Sequence, residues 1–375
     1  MVLLLGNYPP DQQQSMQRFS TMMLDGLTAR GIETELFCPQ PRLGNFHLLG
    51  RFVSKWLGYI DKYIFFPSQL RKRVASRSQV VVHICDHSNA VYVNNCAPAS
   101  VVVTCHDLLA VRGGLGEDTD CPATLTGRFL QRWILRGLGR AAAIVCDSTA
   151  TASDARRLLR KDGSEWIKVV LLGLNYPYKK LSTDTVRSRL AGFPSLDLDR
   201  PFVVHVGSNL RRKNRDGALR IVARVKDKWS GQIVFAGEPL DRELREMADG
   251  LGIADRIVEI GNPTNEVLEA LYNSAAALLY PSRFEGFGWP VIEAQACGCP
   301  VICSTSGPLP EVAGDAGLFH AVEDEAGFAT DLVRLTDPAE RARWSEKGLA
   351  NAKRFSTPKM VDEYVAIYRQ LGAKL

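Results

Sequence analysis

The chain has 375 residues, a formal charge of +5, and hydrophobic and charged fractions of 46% and 23%. This length suggests two domains or more, and the composition is typical of a soluble enzyme. The small positive charge gives no reason to expect a nucleic-acid partner.

The nine cysteines favour a reducing compartment, because they are scattered and no pair has the Cys-x-x-Cys spacing of many redox and zinc sites. The apolar opening Met1–Leu5 is too short for a signal peptide and lacks a basic start. No apolar run approaches the roughly 18 residues that span a bilayer. We therefore expect a cytoplasmic protein that is not integral to a membrane.

Apolar strand-like runs alternate with helical patterns through the first half, which predicts a parallel sheet covered on both faces. Ligands bind such sheets at the carboxyl ends of the strands. Three of these ends carry polar clusters, which begin at Gly6, Asp86 and His106. Asp86, His87 and Asp107 are the candidates for contact with an acceptor substrate.

A second alternation starts at Phe202, after a connection that begins with the glycine- and proline-containing run 173–177 and stays polar to Arg200. We therefore predict an α/β protein with two Rossmann-like lobes, residues 1–195 and 196–355. A last helical segment, residues 356–375, follows the second lobe.

The stretch 280–302 combines a strand end, a glycine turn and a helix start. Gly286 and Gly288 allow a sharp turn, and Pro290 suits the first turn of a helix. The free amides and positive dipole end of that helix predict an anion site. Glu285 and Glu293, eight positions apart, could face one cleft; alternatively, Glu285 is a solvated loop residue and Glu293 only a dipole partner.

The motif Glu285-Gly-Phe-Gly-x-Pro-x-x-Glu293-Ala, with Gly-x-Pro-Val-Ile and Pro310-Glu-Val-x-Gly-Asp-Ala-Gly downstream, closely resembles the donor site of retaining glycosyltransferases of family four, glycosyl transferases group 1. The resemblance implies the GT-B fold, with a nucleotide sugar held in an interdomain cleft and the last helix crossing back to the first lobe. By the same resemblance, Glu293 binds the ribose hydroxyls and Glu285 the transferred sugar. The Gly286–Gly288 turn contacts the diphosphate through the Phe287 and Gly288 amides.

The turn Gly207–Asn214 follows the first strand of the second lobe and contains three consecutive cations. It could be a basic turn that caps a strand. Its Val-Gly and Arg-Lys-Asn elements also match the family pattern, which implies that Gly207 lies at the donor and that Arg212 and Lys213 bind the diphosphate. The fold that the resemblance implies does not need a metal, and cations and amides must then neutralise the leaving phosphate. We expect no metal and no cofactor.

His106 lies in a His-Asp-Leu run that is similar to one in the family, although a histidine after a strand is more often structural. The resemblance places His106 near the donor sugar and acceptor, where it orients them or handles the acceptor proton. We do not expect an obligatory base, because the leaving phosphate can take that proton. His83 and Cys85 are expected to be packing residues, and Asp118-Thr119-Asp120 is too short a match to indicate a metal site.

Residues 51–77 carry seven cations against one acid, with aromatic and aliphatic residues at three- and four-residue intervals. This amphipathic pattern fits either a helix packed on its own lobe or a peripheral contact with the anionic inner face of a membrane.

The expected activity is therefore that of a hexosyltransferase that moves a sugar from a nucleotide-sugar donor to a saccharide or lipid-linked saccharide. The alternatives are a nucleotide-sugar epimerase of the same fold and a sugar- or nucleotide-binding protein without turnover. The Glu285 and Glu293 spacing favours the transferase.

Overall fold

A computed structural model describes residues 1–44, 56–77, 79–160 and 166–375. The chain forms two compact units, one made of Met1–Asn175 with Ser356–Leu375 and the other of Tyr176–Phe355.

The first unit contains a six-stranded parallel sheet in the order β2-β1-β3-β4-β5-β6. The strands are β1 (Val2–Leu5), β2 (Thr34–Phe37), β3 (Val81–Ile84), β4 (Ser100–Cys105), β5 (Ala143–Cys146) and β6 (Ile167–Val169). The α-helices with fully described bounds are Gln14–Thr28, Phe66–Ala75, Leu109–Leu115, Leu125–Leu138, Thr149–Leu159 and Thr357–Gln370. The central strands are buried on both faces, because helices cover both sides of a parallel sheet.

The last helix, Thr357–Gln370, belongs to the first unit, as its predicted return requires. Tyr364 and Tyr368 are fully buried. The Thr104 hydroxyl lies 2.8 Å from the Tyr364 hydroxyl, and His83 Nδ1 lies 2.7 Å from the Tyr368 hydroxyl. His83 is therefore a packing residue that joins β3 to this helix. Burial lowers its pKa to about 3, so the ring is neutral.

The second unit contains another six-stranded parallel sheet, in the order β12-β11-β10-β7-β8-β9. The strands are β7 (Phe202–Gly207), β8 (Gln232–Gly237), β9 (Ile257–Gly261), β10 (Ala277–Tyr280), β11 (Val301–Ser304) and β12 (Gly317–His320). The helices are Thr183–Leu190, Arg215–Arg224, Arg242–Leu251, Asn265–Ser274, Trp289–Ala296, Leu309–Ala313, Glu325–Arg334 and Pro338–Ala352. Two parallel sheets with covering helices confirm the predicted fold class.

The units divide between Asn175 and Tyr176, whereas the sequence placed the boundary at residue 195. The segment after Tyr176 attaches to the helix Asn265–Ser274 by backbone hydrogen bonds. The Lys179 amide donates to Glu269 Oε1 over 2.9 Å, and the Leu181 amide donates to Asn273 Oδ1 over 2.8 Å. The polar run after Tyr176 is therefore a structured part of the second unit, not a free connection.

Of the basic stretch 51–77, residues 51–55 lie outside the described residues. In the described part, a π-helical turn at Asp61–Phe65 leads into the helix Phe66–Ala75. Phe66, Leu70 and Val74 are buried in the core of the first unit. Arg73 and Arg77 both pair with Glu35. Much of this stretch therefore packs on its own unit. Within the described parts of the chain, no helix has both the length and the apolar character needed to cross a bilayer.

Candidate active site

The basic turn after β7 is fixed to the loop after β10. Asn214 has a left-handed backbone (φ 53°), and its side-chain Nδ2 donates to the Pro281 carbonyl over 2.8 Å. Asn214 Oδ1 accepts a hydrogen bond from Arg283 over 3.0 Å, and the Arg283 amide donates to the Arg212 carbonyl over 2.7 Å. Since β7 and β10 are adjacent parallel strands, these bonds bring the turn and the predicted donor motif together at one sheet edge.

Arg212, Lys213 and Glu285 form one cluster of charged side chains. Lys213 Nζ lies 2.8 Å from Glu285 Oε1, 3.0 Å from Glu285 Oε2 and 2.8 Å from the Tyr280 hydroxyl. Arg212 donates to Glu285 Oε2 over 3.1 Å. The side chains of Glu285, Lys213 and Arg212 are 6%, 11% and 28% exposed, so Glu285 is not a solvated loop residue.

Electrostatics keep Glu285 ionised. Burial raises the pKa of this carboxyl, but the charges of Lys213 and Arg212 and the Lys213 hydrogen bond outweigh burial and hold the pKa below its ordinary value. Burial lowers the pKa of Lys213, and the Glu285 charge opposes that effect. The cluster therefore holds two cations against one carboxylate, an excess of positive charge suited to an anion.

The glycine turn leads into the helix Trp289–Ala296, which begins where the sequence predicts. Gly288 has φ 101°, and a Cβ at this position would lie 2.7 Å from Leu309 Cδ2, so only glycine fits. Within the described part of the chain, the backbone amides of Phe287 and Gly288 donate to no other residue, and no side chain caps the helix. Phe287 itself is buried, with its ring centroid 5.9 Å from that of Phe355.

Glu293 is a buried carboxylate in this helix and is only 3% exposed. Its Oε2 accepts a hydrogen bond of 3.0 Å from the hydroxyl of Tyr272, on the helix Asn265–Ser274. Glu293 is the fifth residue of the helix, and the first turn, where the dipole acts most strongly, contains no acidic residue. A buried carboxylate held by a tyrosine is a preorganised acceptor for further hydroxyl donors.

Gly207, at the end of β7, lies under the lysine of the cluster. A Cβ on Gly207 would approach the Lys213 Cγ and Cδ atoms to 3.2 Å. Its carbonyl accepts hydrogen bonds from Arg215 and from the Glu238 amide. The glycine thus leaves room for the lysine stem. The buried Arg215, which was not predicted as a site residue, holds the strand end in place.

In the first unit, polar side chains from four strand ends form a second cluster. Asn7, after β1, donates to Asp86 Oδ2 over 2.6 Å and accepts from Asn89 over 3.0 Å. The Ser88 amide donates to Asp86 Oδ1 over 3.0 Å. Burial raises the pKa of Asp86, but the electrostatic influence of the two neighbouring imidazoles, His87 and His106, and the Ser88 hydrogen bonds bring that pKa below its ordinary value. Asp86 is therefore an ionised and well-bonded group.

His106 has both ring nitrogens engaged. Its Nε2 lies 3.0 Å from the Cys85 carbonyl and must donate, because a carbonyl only accepts. Its Nδ1 lies 3.2 Å from Asp147 Oδ2, and both residues are buried. Burial lowers the pKa of His106, but the hydrogen bond and charge of Asp147 outweigh it and raise the pKa. Burial raises the pKa of Asp147 to about 7. The Asp147 carboxyl therefore favours the protonated form of the His106 ring, and this bond couples the two groups.

Asp147 was not predicted as a site residue. It follows β5 in the run Cys146-Asp147-Ser148, which has the same form as the polar ends that were noted after the other strands. The remaining two candidates have local roles. The Asp107 carboxylate accepts from the Leu109 amide over 3.0 Å at a helix start, and His87 is largely buried with Nδ1 3.3 Å from Asp86 Oδ1.

The structure thus groups the predicted site residues by unit. Gly207, Arg212, Lys213 and Glu285 meet in the second unit beside the glycine turn. His106 and Asp86 meet in the first. Among the described residues, no group of three or more His, Cys, Asp or Glu side chains is arranged to hold a metal ion.

Each half of the chain matches a family model. Residues 16–164 match a model described as "Glycosyl transferase 4-like domain", and residues 188–350 match one described as "Glycosyl transferases group 1". Together the two matches cover most of the chain.

Curated relatives include the D-inositol 3-phosphate glycosyltransferase of Acidothermus cellulolyticus, 29% identical over 73% of this chain and 62% of that protein. The O-antigen chain mannosyltransferase B of Escherichia coli is 39% identical over 30% of each chain. The chain therefore spans less than two thirds of the length of these relatives.

Among solved structures, HepE of Anabaena in complex with UDP matches with a TM-score of 0.74 and 15% identity, over 99% of this chain and 100% of that chain. The same Anabaena protein with UDP-glucose matches with a TM-score of 0.70 and 15% identity, over 98% and 99%. Likeness at this identity concerns the fold. With the family models and the two parallel sheets, these comparisons show that residues 188–350 belong to the glycosyl transferases group 1 family, that residues 16–164 form a glycosyl transferase 4-like domain, and that the chain has the GT-B fold.

Proposed function

We propose that this protein is a retaining, metal-independent hexosyltransferase of family four that moves a sugar from a nucleotide-sugar donor to a saccharide or lipid-linked saccharide. The observation that carries this proposal is the Arg212, Lys213 and Glu285 cluster beside the glycine turn of the second unit.

In the proposed mechanism, Arg212, Lys213 and the Phe287 and Gly288 amides bind the donor diphosphate. A diphosphate competes with Glu285 for the two cations, so donor binding exchanges the Glu285 ion pairs for phosphate contacts. The Glu285 oxygens then accept hydrogen bonds from hydroxyls of the transferred sugar. Glu293, already fixed by Tyr272, accepts from the ribose hydroxyls. The cations stabilise the diphosphate as it leaves with its electron pair.

Retention is proposed through a front-face displacement. The acceptor oxygen bonds to the anomeric carbon, the bond from that carbon to the phosphate oxygen breaks, and the acceptor proton passes to the leaving phosphate. The engagement of both His106 nitrogens supports this route, because neither carries a free lone pair to receive the acceptor proton. His106 would then help to orient the substrates. Asp86, His87 and Asp107 are the acceptor-side candidates.

Metal independence and the absence of a cofactor remain part of the proposal. Their support is chemical: two cations and a helix start supply the positive charge that a metal supplies in other transferases. The UDP and UDP-glucose of the Anabaena structures support a nucleotide-sugar donor, and the name of the O-antigen chain mannosyltransferase supports a saccharide acceptor.

A cytoplasmic protein that is peripheral on the inner face of the membrane also remains a proposal. In the described part of the basic stretch, Trp56, Ile64 and Phe65 are exposed, and so are Arg71 and Lys72. These five side chains are the ones that such a contact would use. An epimerase or a binding protein without turnover is not favoured, because both family models are those of glycosyltransferases.

The test is a screen of UDP-, GDP- and ADP-sugars for thermal stabilisation, followed by donor hydrolysis and transfer assays in EDTA. A donor at about 100 times its Kd stabilises the folded state by about 2.7 kcal/mol. We expect one donor class to stabilise the protein and to be turned over in EDTA, with the anomeric configuration of the donor kept in the product. Stabilisation without hydrolysis or transfer would indicate a binding protein, and epimerised donor would indicate the epimerase.

A further inference from the structure

The helix Leu125–Leu138 exposes two large apolar side chains that the sequence analysis did not single out. Leu125 is 83% exposed and Phe129 is 66% exposed. Arg128, Arg132 and Arg136 on the same helix are also exposed. Because they are four positions apart on one helix, Leu125 and Phe129 are neighbours and form one exposed apolar patch, and such patches often mark an interaction site.

These five side chains occupy one face of the helix. At about 100° per residue, Leu125, Phe129, Arg132 and Arg136 fall within an arc of about 60°, and Arg128 widens it to about 100°. We call these five residues the 125–136 face. The remaining exposed positions of the helix do not interrupt it.

The opposite side fixes this orientation. Ile134, Gly137 and Leu138 are buried, and a Cβ on Gly137 would collide with the Ala90 carbonyl, so the helix lies directly on the segment His87–Asn95. The Trp133 ring also packs against Tyr63, with the centroids 5.5 Å apart. The 125–136 face is therefore presented outward by a rigidly packed helix.

The charged side chains of the helix itself are of one sign. Residues 121–146 contain no Asp or Glu. In the described part of the chain, Arg128, Arg132 and Arg136 form no ion pair. The acidic residues that precede the helix lie in segment 117–120, where Glu117 pairs with Arg112 and Arg157. A cationic face without internal partners is complementary to an anionic surface.

We propose that the 125–136 face docks on an anionic phospholipid bilayer, with the three arginines at the headgroups and Leu125 and Phe129 inserted among the acyl chains. An amphipathic helix that lies in the interface combines these two kinds of contact. The Tyr63 and Trp133 contact places this helix beside the turn Asp61–Phe65, which exposes Ile64 and Phe65. The proposal concerns a different helix from the basic stretch 51–77 and does not depend on the enzymatic activity.

The experiment measures co-sedimentation of the full chain with vesicles of phosphatidylglycerol and phosphatidylcholine, and with phosphatidylcholine alone. Wild-type protein is expected to bind the anionic vesicles and to be released by salt, which screens surface charge. Each neutralised arginine weakens binding about fivefold, so R128Q/R132Q/R136Q should bind about 100-fold more weakly. Replacing Leu125 and Phe129 with Ser should also weaken binding, because the inserted groups are lost.

The matched control is R187Q/R242Q/R343Q, which removes the same charge from exposed arginines of other helices and is expected to bind like wild type. Equal binding of R128Q/R132Q/R136Q and wild type would overturn the proposal, as would an equal loss in the control. If the Leu125 and Phe129 variant binds vesicles normally, the face recognises polyanions rather than a bilayer, and the proposal also fails. Unfolding curves of all variants exclude misfolding as the cause of any loss.

Discussion

Replacing Lys213 with Ala tests the proposed role of the cation cluster. Lys213 Nζ contacts both Glu285 oxygens and the Tyr280 hydroxyl at 2.8 to 3.0 Å, and its side chain is 11% exposed. The variant removes a preorganised cation from the site that we assign to the leaving diphosphate. Loss of one such contact raises the barrier by about 2–4 kcal/mol, which lowers kcat by a factor of about 30 to 1000.

The same substitution also affects folding, and the two effects can be separated. Glu285 loses its closest partner and keeps Arg212, so the folded state loses about 1–3 kcal/mol, the cost of leaving a buried polar group short of a partner. Adding Glu285→Gln removes the buried charge that has lost its closest partner and should restore part of this stability. It should not restore turnover, because the cation is still missing.

The assay measures donor turnover at saturating donor, together with urea unfolding of each variant. Lys228→Ala is the matched control, because it removes an exposed lysine from the same unit. Unchanged kcat in Lys213→Ala would refute the assignment. A rise in KM alone would mean that Lys213 binds donor and transition state equally.

Two further predictions concern buried histidines. Asp147→Asn removes the negative charge that raises the pKa of His106, so that pKa should fall; an NMR titration of the ring, assigned with a His106 variant, should show the drop, and an unchanged pKa would mean that the pair is not coupled. Burial lowers the pKa of His83 to about 3, so its contribution to stability is full above about pH 6.5 and falls by about 1.4 kcal/mol per pH unit below that pH. In urea unfolding, His83→Leu should lose less stability than wild type between pH 6.5 and 5, and equal losses would contradict a neutral buried ring.

The fold could be predicted well from the sequence, because its signals are local. Apolar runs between glycine turns mark buried strands, and the position of Gly288 before Trp289 and Pro290 marks a helix start that the structure reproduces. The family motif joined Glu285 to the Arg212 and Lys213 turn, although 72 residues separate Lys213 from Glu285. Spacing alone would not have brought these residues together.

Other features depend on contacts that no local pattern reveals. The boundary between the units lies after Asn175 and not at residue 195, because the segment that follows Asn175 forms hydrogen bonds with Glu269 and Asn273, far along the chain. The Asp147 carboxylate lies next to His106 because β5 pairs with β4, and the sequence alone does not show this pairing.

A crystal structure of the protein with the nucleoside diphosphate that stabilises it most would test the central claim most directly. We predict diphosphate oxygens within about 3 Å of Lys213 Nζ and of the Phe287 and Gly288 amides, and ribose hydroxyls at Glu293. The Lys213 and Glu285 ion pair should be broken or lengthened in that complex. A nucleotide bound elsewhere, with the ion pair intact and the glycine turn empty, would contradict the proposed donor site.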